Sequence, residues 1–355
     1  MMITKSNTTI AKTIQALRAC MVISISYFSF LIPHSLLTSC SNKTNRFHME
    51  AQFQNLNQGE FYIYDPYTGQ KDTIAVNDGR FVYNRDITDT LTLTILFPNF
   101  SEIAIFATPG AEVVMKGDAT HLRDTEITGT KENDLLTAFR LKTNEMTPPE
   151  ATDEAEKFIN DNAASIVSMH LLQKFFLQGV TPDYKKAYTL CQKIHGAQPA
   201  NQQAARLLTQ LEALKDYADS GALPHFEAIS TDGDTLTNAT LSGDVNVILA
   251  WATWSYDSQS PMRPLRTMRK KHAEKLKIIN ICLDAAPSEG QGVLSRDSVD
   301  WPNVCDSLMW QSPILAQLGI ATLPANIITD KRGNIVARNM SSNELQQKVK
   351  TMLGE

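Results

Sequence analysis

The segment that decides the fold reads Trp251-Ala-Thr-Trp254-Ser255-Tyr-Asp-Ser258. It ends an apolar run, Val245–Trp251, that is short enough for a buried central strand. A long helix is predicted directly after it, over residues 260–276. Two serines with two residues between them therefore lie where a buried strand gives way to a helix, and this loop is the first candidate for a functional site.

The loop resembles the active-site segment of thioredoxin-fold oxidoreductases of the TlpA/ResA (AhpC/TSA) type, in which Phe/Trp-Ala-x-Trp-Cys-x-x-Cys opens the first long helix. Serine stands at both cysteine positions, Ser255 and Ser258. Disulfide exchange needs a thiolate that attacks and a second thiol that resolves the mixed disulfide. A serine hydroxyl ionises far outside the range reached by cysteines at helix N-termini. Pro261 also replaces the carboxylate that the resemblance implies, so we expect a redox scaffold without its redox pair.

The same resemblance extends over residues 222–355, because the expected elements follow in the family's order. They comprise a short strand at Phe226, a hairpin at Asp232-Gly233, buried strands over Val245–Trp251 and 278–284, a strand after Leu323-Pro324, a turn at Arg332-Gly333 and a helix over Ser342–Leu353. The resemblance implies a thioredoxin-like α/β domain.

Leu323-Pro324 is the second motif of that domain. The resemblance implies a cis peptide bond opposite the serine loop, where the preceding backbone pairs with an extended substrate segment; the alternative is a trans proline at a strand start. The predicted binding groove consists of Trp254, Ser255, Tyr256, Asp257, Ser258, Leu323 and Pro324. Trp and Tyr dominate binding hot spots, which favours binding roles for Trp254 and Tyr256. The alternative is that Trp254 packs in the core and Tyr256 is an ordinary exposed residue.

The N-terminus predicts the location of the protein. Basic residues precede an apolar stretch over 20–32, which has the length of a signal-peptide core, and Leu37-Thr-Ser-Cys40 resembles a bacterial lipobox. This predicts a signal peptide over 1–39, a tether over 40–46, and anchoring of acylated Cys40 in the bilayer, facing the periplasm of the cell envelope. An uncleaved signal anchor and cleavage by the ordinary signal peptidase are the alternatives.

Two further regions separate the tether from the thioredoxin-like domain. Residues 47–131 alternate apolar and polar positions between Gly-containing turns, which predicts a small antiparallel β-sandwich; they resemble a domain of unknown function that precedes thioredoxin-like domains in envelope lipoproteins. Residues 132–221 predict a helical spacer, with helices over 134–142, 155–175, 183–195 and 201–219.

Charge and side-chain spacing exclude several functions. The formal net charge of −5 gives no excess of positive charge for phosphates, so no nucleic-acid partner is expected. Histidine and cysteine spacings indicate no zinc site, and no cofactor is predicted. A hydrolytic role for Asp257 beside the serines lacks a nearby histidine. The basic helix after the loop is either a solvated face or a contact for an anionic partner, with its three arginines on one side: Arg263, Arg266, Arg269, Lys270, Lys271, Lys275 and Lys277.

Two functions remain open. In the first, the protein is a redox-inactive module that binds an extended peptide or a partner protein of the envelope in the groove. In the second, Cys305, with Cys282, carries a relocated thiol–disulfide oxidoreductase or peroxidase chemistry. The relocated thiol chemistry is the less favoured of the two functions. Cys282 lies in an apolar strand, and free cysteines usually pack as small hydrophobes.

Overall fold

The computed structural model describes residues 45–56, 58–99, 101–179, 181–215 and 221–355. The predicted signal peptide, Cys40 and most of the predicted tether lie outside the described residues, and the lipoprotein assignment stays a prediction. None of the helices described has the length and apolar character needed to cross a membrane.

The N-terminal region is all β. Its strands form one eight-stranded sheet in the order β6-β5-β2-β3-β4-β1-β7-β8. Their bounds are β1 Arg46–Gln54, β2 Gln58–Tyr64, β3 Lys71–Asn77, β4 Arg80–Asp86, β5 Leu91–Leu96, β6 Glu102–Ala107, β7 Glu112–Asp118 and β8 Glu126–Thr128. Strands β3 and β4 share a single residue pair, Asn77 with Arg80, so the sheet divides there into two four-stranded halves.

The two halves pack face to face around one apolar core. Phe61 on β2 meets Phe81 on β4 with ring centroids 5.2 Å apart, an edge-to-face contact across the halves. The prediction of a purely antiparallel sandwich is wrong in one respect, because β1 runs parallel to β7. The chain forms β2 to β6 before it returns to β1, and this long connection allows a parallel pairing.

The middle of the chain is helical, with bounds α1 Lys131–Thr143, α2 Pro148–Asp161, α3 Ile166–Leu172, a π-helical turn Gln173–Leu177, α4 Tyr184–Ala197 and α5 Gln202–Leu214. The single helix predicted over 155–175 is wrong. Asn162 leaves the helical conformation and its side chain caps the carbonyl of Phe158 at 3.1 Å. The Ser165 hydroxyl then accepts the N–H of Val167 at 3.3 Å and starts α3.

The C-terminal region is α/β. Its bounds are β9 Glu227–Ile229, β10 Thr235–Thr237, β11 Val245–Trp251, α6 Tyr256–Gln259, α7 Met262–Lys271, β12 Leu276–Cys282, α8 Pro287–Arg296, β13 Asn303–Val304, α9 Pro313–Leu318, β14 Ala325–Asp330, β15 Ile335–Arg338 and α10 Ser342–Leu353. The main sheet has the order β13-β12-β11-β14-β15. Strands β11, β12 and β13 are parallel, and β14 is antiparallel to both neighbours. This is the arrangement that the thioredoxin-like resemblance implies.

Two local predictions in this domain have clear outcomes. The Leu323–Pro324 peptide bond is cis, as predicted. The helix predicted over 260–276 forms over the shorter range Met262–Lys271, and a separate short helix, Tyr256–Gln259, precedes Pro261. Proline has no N–H for the helical ladder, and Leu276 pairs with Val245 to begin β12.

The three regions share apolar cores. Tyr64 and Leu96 of the β region belong to the same buried cluster as Trp254 and Trp310 of the C-terminal domain. Phe106 of β6 lies in the cluster of the helical region. The β region therefore packs directly on the serine loop.

Candidate ligand-binding site

The serine loop is closed by its own hydrogen bonds. The Ser258 hydroxyl accepts the N–H of Ala252 at 3.1 Å and donates to the carbonyl of Ser255 at 2.6 Å. Gln259 donates to the carbonyls of Ala252 and Thr253 at 3.1 and 3.0 Å. Both serines are buried. Ser258 thus has a structural role that a hydroxyl fulfils well, because oxygen forms shorter and stronger hydrogen bonds than sulfur.

Trp254 lies between the domains. Its ring centroid is 5.9 Å from that of Tyr64 and 6.5 Å from that of Trp310. The Trp310 indole N–H donates to the carbonyl of Pro66 at 2.8 Å. Trp254 was interpreted either as a binding residue or as part of the core. On the side that faces the β region, the structure supports the core interpretation.

The turn that covers Trp254 depends on a glycine. Gly69 has φ +73°, and a Cβ atom there would lie 2.8 Å from Cδ1 of Trp254. Asp65 organises the turn, since its side chain accepts the N–H of Tyr67 at 2.9 Å and its carbonyl accepts that of Gly69 at 2.9 Å. Glycine meets both demands, left-handed backbone and close approach.

A cavity of about 500 Å³ opens beside the cis-proline. The C-terminal domain contributes Trp254, Ser255, Trp310, Thr322 and Leu323 to its wall, and the β and helical regions supply the rest. Neither the backbone N–H nor the C=O of Leu323 has a hydrogen-bond partner within the described ranges. Leu323, which lines the cavity, thus has one backbone donor and one backbone acceptor without a partner among the described residues.

The wall of this cavity carries an excess of positive charge. Arg123, Arg140 and Lys174 line it, and none of them forms an ion pair with another described residue. Desolvation lowers the pKa of Lys174, and repulsion from Arg140 and Arg123 lowers it further. The Arg140 guanidinium donates to the carbonyls of Arg123 and Thr125, while its Nε is buried without a partner in the described chain.

Burial shifts the pKa values of two other titratable groups in the wall. Burial raises the pKa of Glu102, although the Tyr64 hydroxyl, which donates to this carboxylate at 2.6 Å, counteracts the effect. Desolvation lowers the pKa of His170 to about 3, with added repulsion from Lys174 and Arg140. The wall thus contains three basic side chains, Arg123, Arg140 and Lys174, and one acidic side chain, Glu102.

The structure separates the residues predicted to form one groove. Trp254, Ser255 and Leu323 line the cavity, whereas Tyr256 lines a second depression formed with Tyr62, Gly69, Gln70 and Lys71 of the β region. Tyr256, Asp257 and Pro324 are exposed, and Ser258 is buried inside the loop. The cationic wall was not predicted, because its three residues are distant in sequence and no motif connects them.

The basic helix serves contacts within the chain. Arg263 of α7 forms an ion pair with Asp297 at 2.9 Å, Arg266 donates to the Asp297 carbonyl at 2.7 Å, and Arg269 pairs with Asp300 at 3.1 Å. The prediction that the three arginines share one side is confirmed. Their partners lie in the segment after α8, which weakens the case for an anionic partner there.

The alternative thiols are neighbours. Cys282 ends β12, and Cys305 directly follows β13. The Cys282 thiol lies 3.1 Å from Oδ2 of Asp284, and Cys305 Sγ lies 3.7 Å from the Asp284 carbonyl. All three described cysteines are free thiols, the third being the buried Cys191. No group of three metal-ligating side chains occurs in the described part of the chain.

Comparison with known proteins gives matches to the N-terminal β region and to the C-terminal α/β region. Residues 47–136 match the model of a family described as a domain of unknown function, DUF4369. No curated protein matches the chain.

Solved structures similar to the C-terminal part of the chain are thioredoxin-like thiol-disulfide oxidoreductases. One is the C-terminal domain of a candidate thiol-disulfide oxidoreductase from Bacteroides thetaiotaomicron, at 26% identity, covering 38% of this chain and 94% of that one, with a TM-score of 0.34. A thiol-disulfide oxidoreductase from Bacteroides fragilis is 24% identical, with coverages of 37% and 98% and a TM-score of 0.34. The thioredoxin domain of a Bacteroides vulgatus thiol-disulfide oxidoreductase is 17% identical, with coverages of 37% and 94% and a TM-score of 0.33.

Proposed function

We propose that the chain is a lipid-anchored protein of the cell envelope whose thioredoxin-like domain binds an extended segment of a partner in the cavity beside Leu323. Ser255 and Ser258 take no part in disulfide exchange. The observation that carries this proposal is the unpaired backbone of Leu323 at the cavity wall. An extended segment gains affinity from main-chain hydrogen bonds to such a unit, and nearby side chains select its sequence.

The charge of the wall identifies the class of segment. Arg123 and Arg140 repel Lys174, and none of these three side chains forms an ion pair with another described residue. An acidic group on the ligand relieves that repulsion and forms charge-assisted hydrogen bonds. The expected ligand is therefore an extended peptide with a free C-terminal carboxylate or an acidic side chain.

The test measures binding of labelled extended peptides by fluorescence polarisation, each peptide with a free and with an amidated C-terminus. We expect acidic peptides to bind more tightly, and Lys174→Met to weaken them about 5- to 30-fold, equivalent to about 1–2 kcal/mol. Lys157→Met, on the exposed face of α2, is the matched control.

A second variant blocks the cavity without changing its charge. Ser101 is exposed and lines the cavity just before β6, so Ser101→Trp fills space near the mouth. Binding that survives both Ser101→Trp and Lys174→Met would place the ligand elsewhere and overturn the proposal.

A further inference from the structure

We propose that Cys282 and Cys305 form a dithiol site, separate from the serine loop, that exchanges with an external disulfide and closes reversibly into an intramolecular disulfide. This site lies outside the cavity to which the proposed function is assigned, and the two stand or fall independently.

The sheet brings the two cysteines side by side. Parallel strands β12 and β13 pair Asn280 with Asn303 and Ile281 with Val304, so Cys282 and Cys305 come one residue beyond the last pair, in the same register. Neighbouring strands lie about 4.8 Å apart, and disulfides join Cα atoms about 4.4–6.8 Å apart. Both side chains pack against the same apolar cluster, hence on the same side of the sheet.

The surroundings give the two thiols different roles. Cys305 is partly exposed, whereas Cys282 is buried with 4% of its surface accessible. A hydrogen bond from the Cys282 thiol lowers the pKa of Cys305, and the same bond together with burial raises the pKa of Cys282. A partly exposed thiol with a lowered pKa beside a buried thiol with a raised pKa suits disulfide exchange, in which one thiol attacks and the other resolves the mixed disulfide.

Asp284 completes the site as the proton acceptor for Cys282. Its Oδ2 lies 3.1 Å from Cys282 Sγ, and its Oδ1 accepts the N–H and hydroxyl of Thr253 at 2.9 and 3.0 Å. The carboxylate is thereby held where it can accept the Cys282 proton. It also connects the dithiol to the loop that carries Ser255, at the carboxyl edge of the parallel strands.

The Cys305 thiolate attacks one sulfur of an external disulfide, forms a mixed disulfide and expels the other sulfur as a thiolate. Cys282 passes its proton to Asp284, attacks Cys305 Sγ and expels the second external thiolate. The Cys282–Cys305 bond forms as the external disulfide breaks, so two electrons pass from the protein dithiol to the external disulfide.

The experiment equilibrates the full-length protein in buffers of reduced and oxidised glutathione, traps thiols by alkylation and reads them by peptide mass spectrometry. We expect Cys282 and Cys305 to lose their thiols together in one transition, with a Cys282–Cys305 cross-linked peptide. Cys191→Ser, which removes a buried cysteine outside the pair, should leave the transition unchanged.

The variants separate a pair from two independent thiols. In Cys282→Ser, Cys305 should accumulate as a mixed disulfide with glutathione, because no thiol resolves it. In Cys305→Ser, Cys282 should remain a free thiol throughout. Independent alkylation of the two wild-type thiols, or absence of the cross-linked peptide in excess oxidised glutathione, would overturn the proposal.

Discussion

His170 makes the stability of the protein depend on pH. Its pKa in the folded protein is lowered to about 3, whereas an unfolded histidine titrates near 6.5. Between these values the unfolded state binds more protons, so the free energy of unfolding falls as pH falls below about 6.5, by at most about 1.4 kcal/mol per pH unit for one group. Urea unfolding between pH 7.5 and 4.5 should show a steeper loss for wild type than for His170→Gln.

The exposed His225, changed to Gln, controls for the substitution itself. Equal slopes for wild type and His170→Gln would mean that His170 takes up a proton in the folded state. In that case it would add to the positive charge of the cavity wall rather than remain neutral.

Among elements, the turn over Trp254 offers a sharp test. Gly69→Ala demands a left-handed alanine, which costs about 1–2 kcal/mol, and also presses its Cβ on Trp254. Gly333 has a similar φ of +80° and no atom near its would-be Cβ. We expect Gly69→Ala to lower the free energy of unfolding by about 1–3 kcal/mol more than Gly333→Ala does, because overpacking adds to the strain.

Chemical denaturation of both variants measures this difference. Equal losses would show that the turn moves away from Trp254 at no cost. The β region would then be only loosely fitted to the serine loop.

Sequence patterns predicted some elements closely and missed others for physical reasons. Strand β11 is buried at every position, and its apolar run is a local signal in the sequence. Helix α10 begins with the Ser341–Glu344 capping box, which is also a local signal. The pairing of β1 with β4 and β7 could not be predicted from local patterns, because remote residues decide it. The break in the 155–175 helix depends on side-chain caps that helical periodicity does not register.

The candidate site divides in the same way. The serine loop and the cis-proline were recognisable as motifs, and the serines are informative because the resemblance implies cysteines there. The sequence named Cys305 and Cys282 as alternative thiols but did not show that they are adjacent, because their adjacency depends on β13, a strand of two residues. Such a strand is too short to show alternation.

At the scale of the whole molecule, the anchor remains to be tested. Leu37-Thr-Ser-Cys40 predicts that Cys40→Ala abolishes metabolic labelling by fatty acid and leaves either an unprocessed precursor or a soluble form. Cys20→Ala, inside the predicted signal peptide, is the matched control and should keep the label. Unchanged labelling of Cys40→Ala would exclude the lipoprotein assignment.

The contact between Trp310 and Pro66 joins residues 244 positions apart in the chain. Closing so long a loop costs entropy that only later contacts recover. During synthesis the β strands leave the ribosome well before Trp254 and Trp310 have been made. Tyr64 and Leu96 therefore lack these contacts until synthesis reaches the C-terminal domain. The apolar cluster beneath the serine loop can therefore form only after Trp310 has been made, and the cavity beside it only after Leu323 has been made.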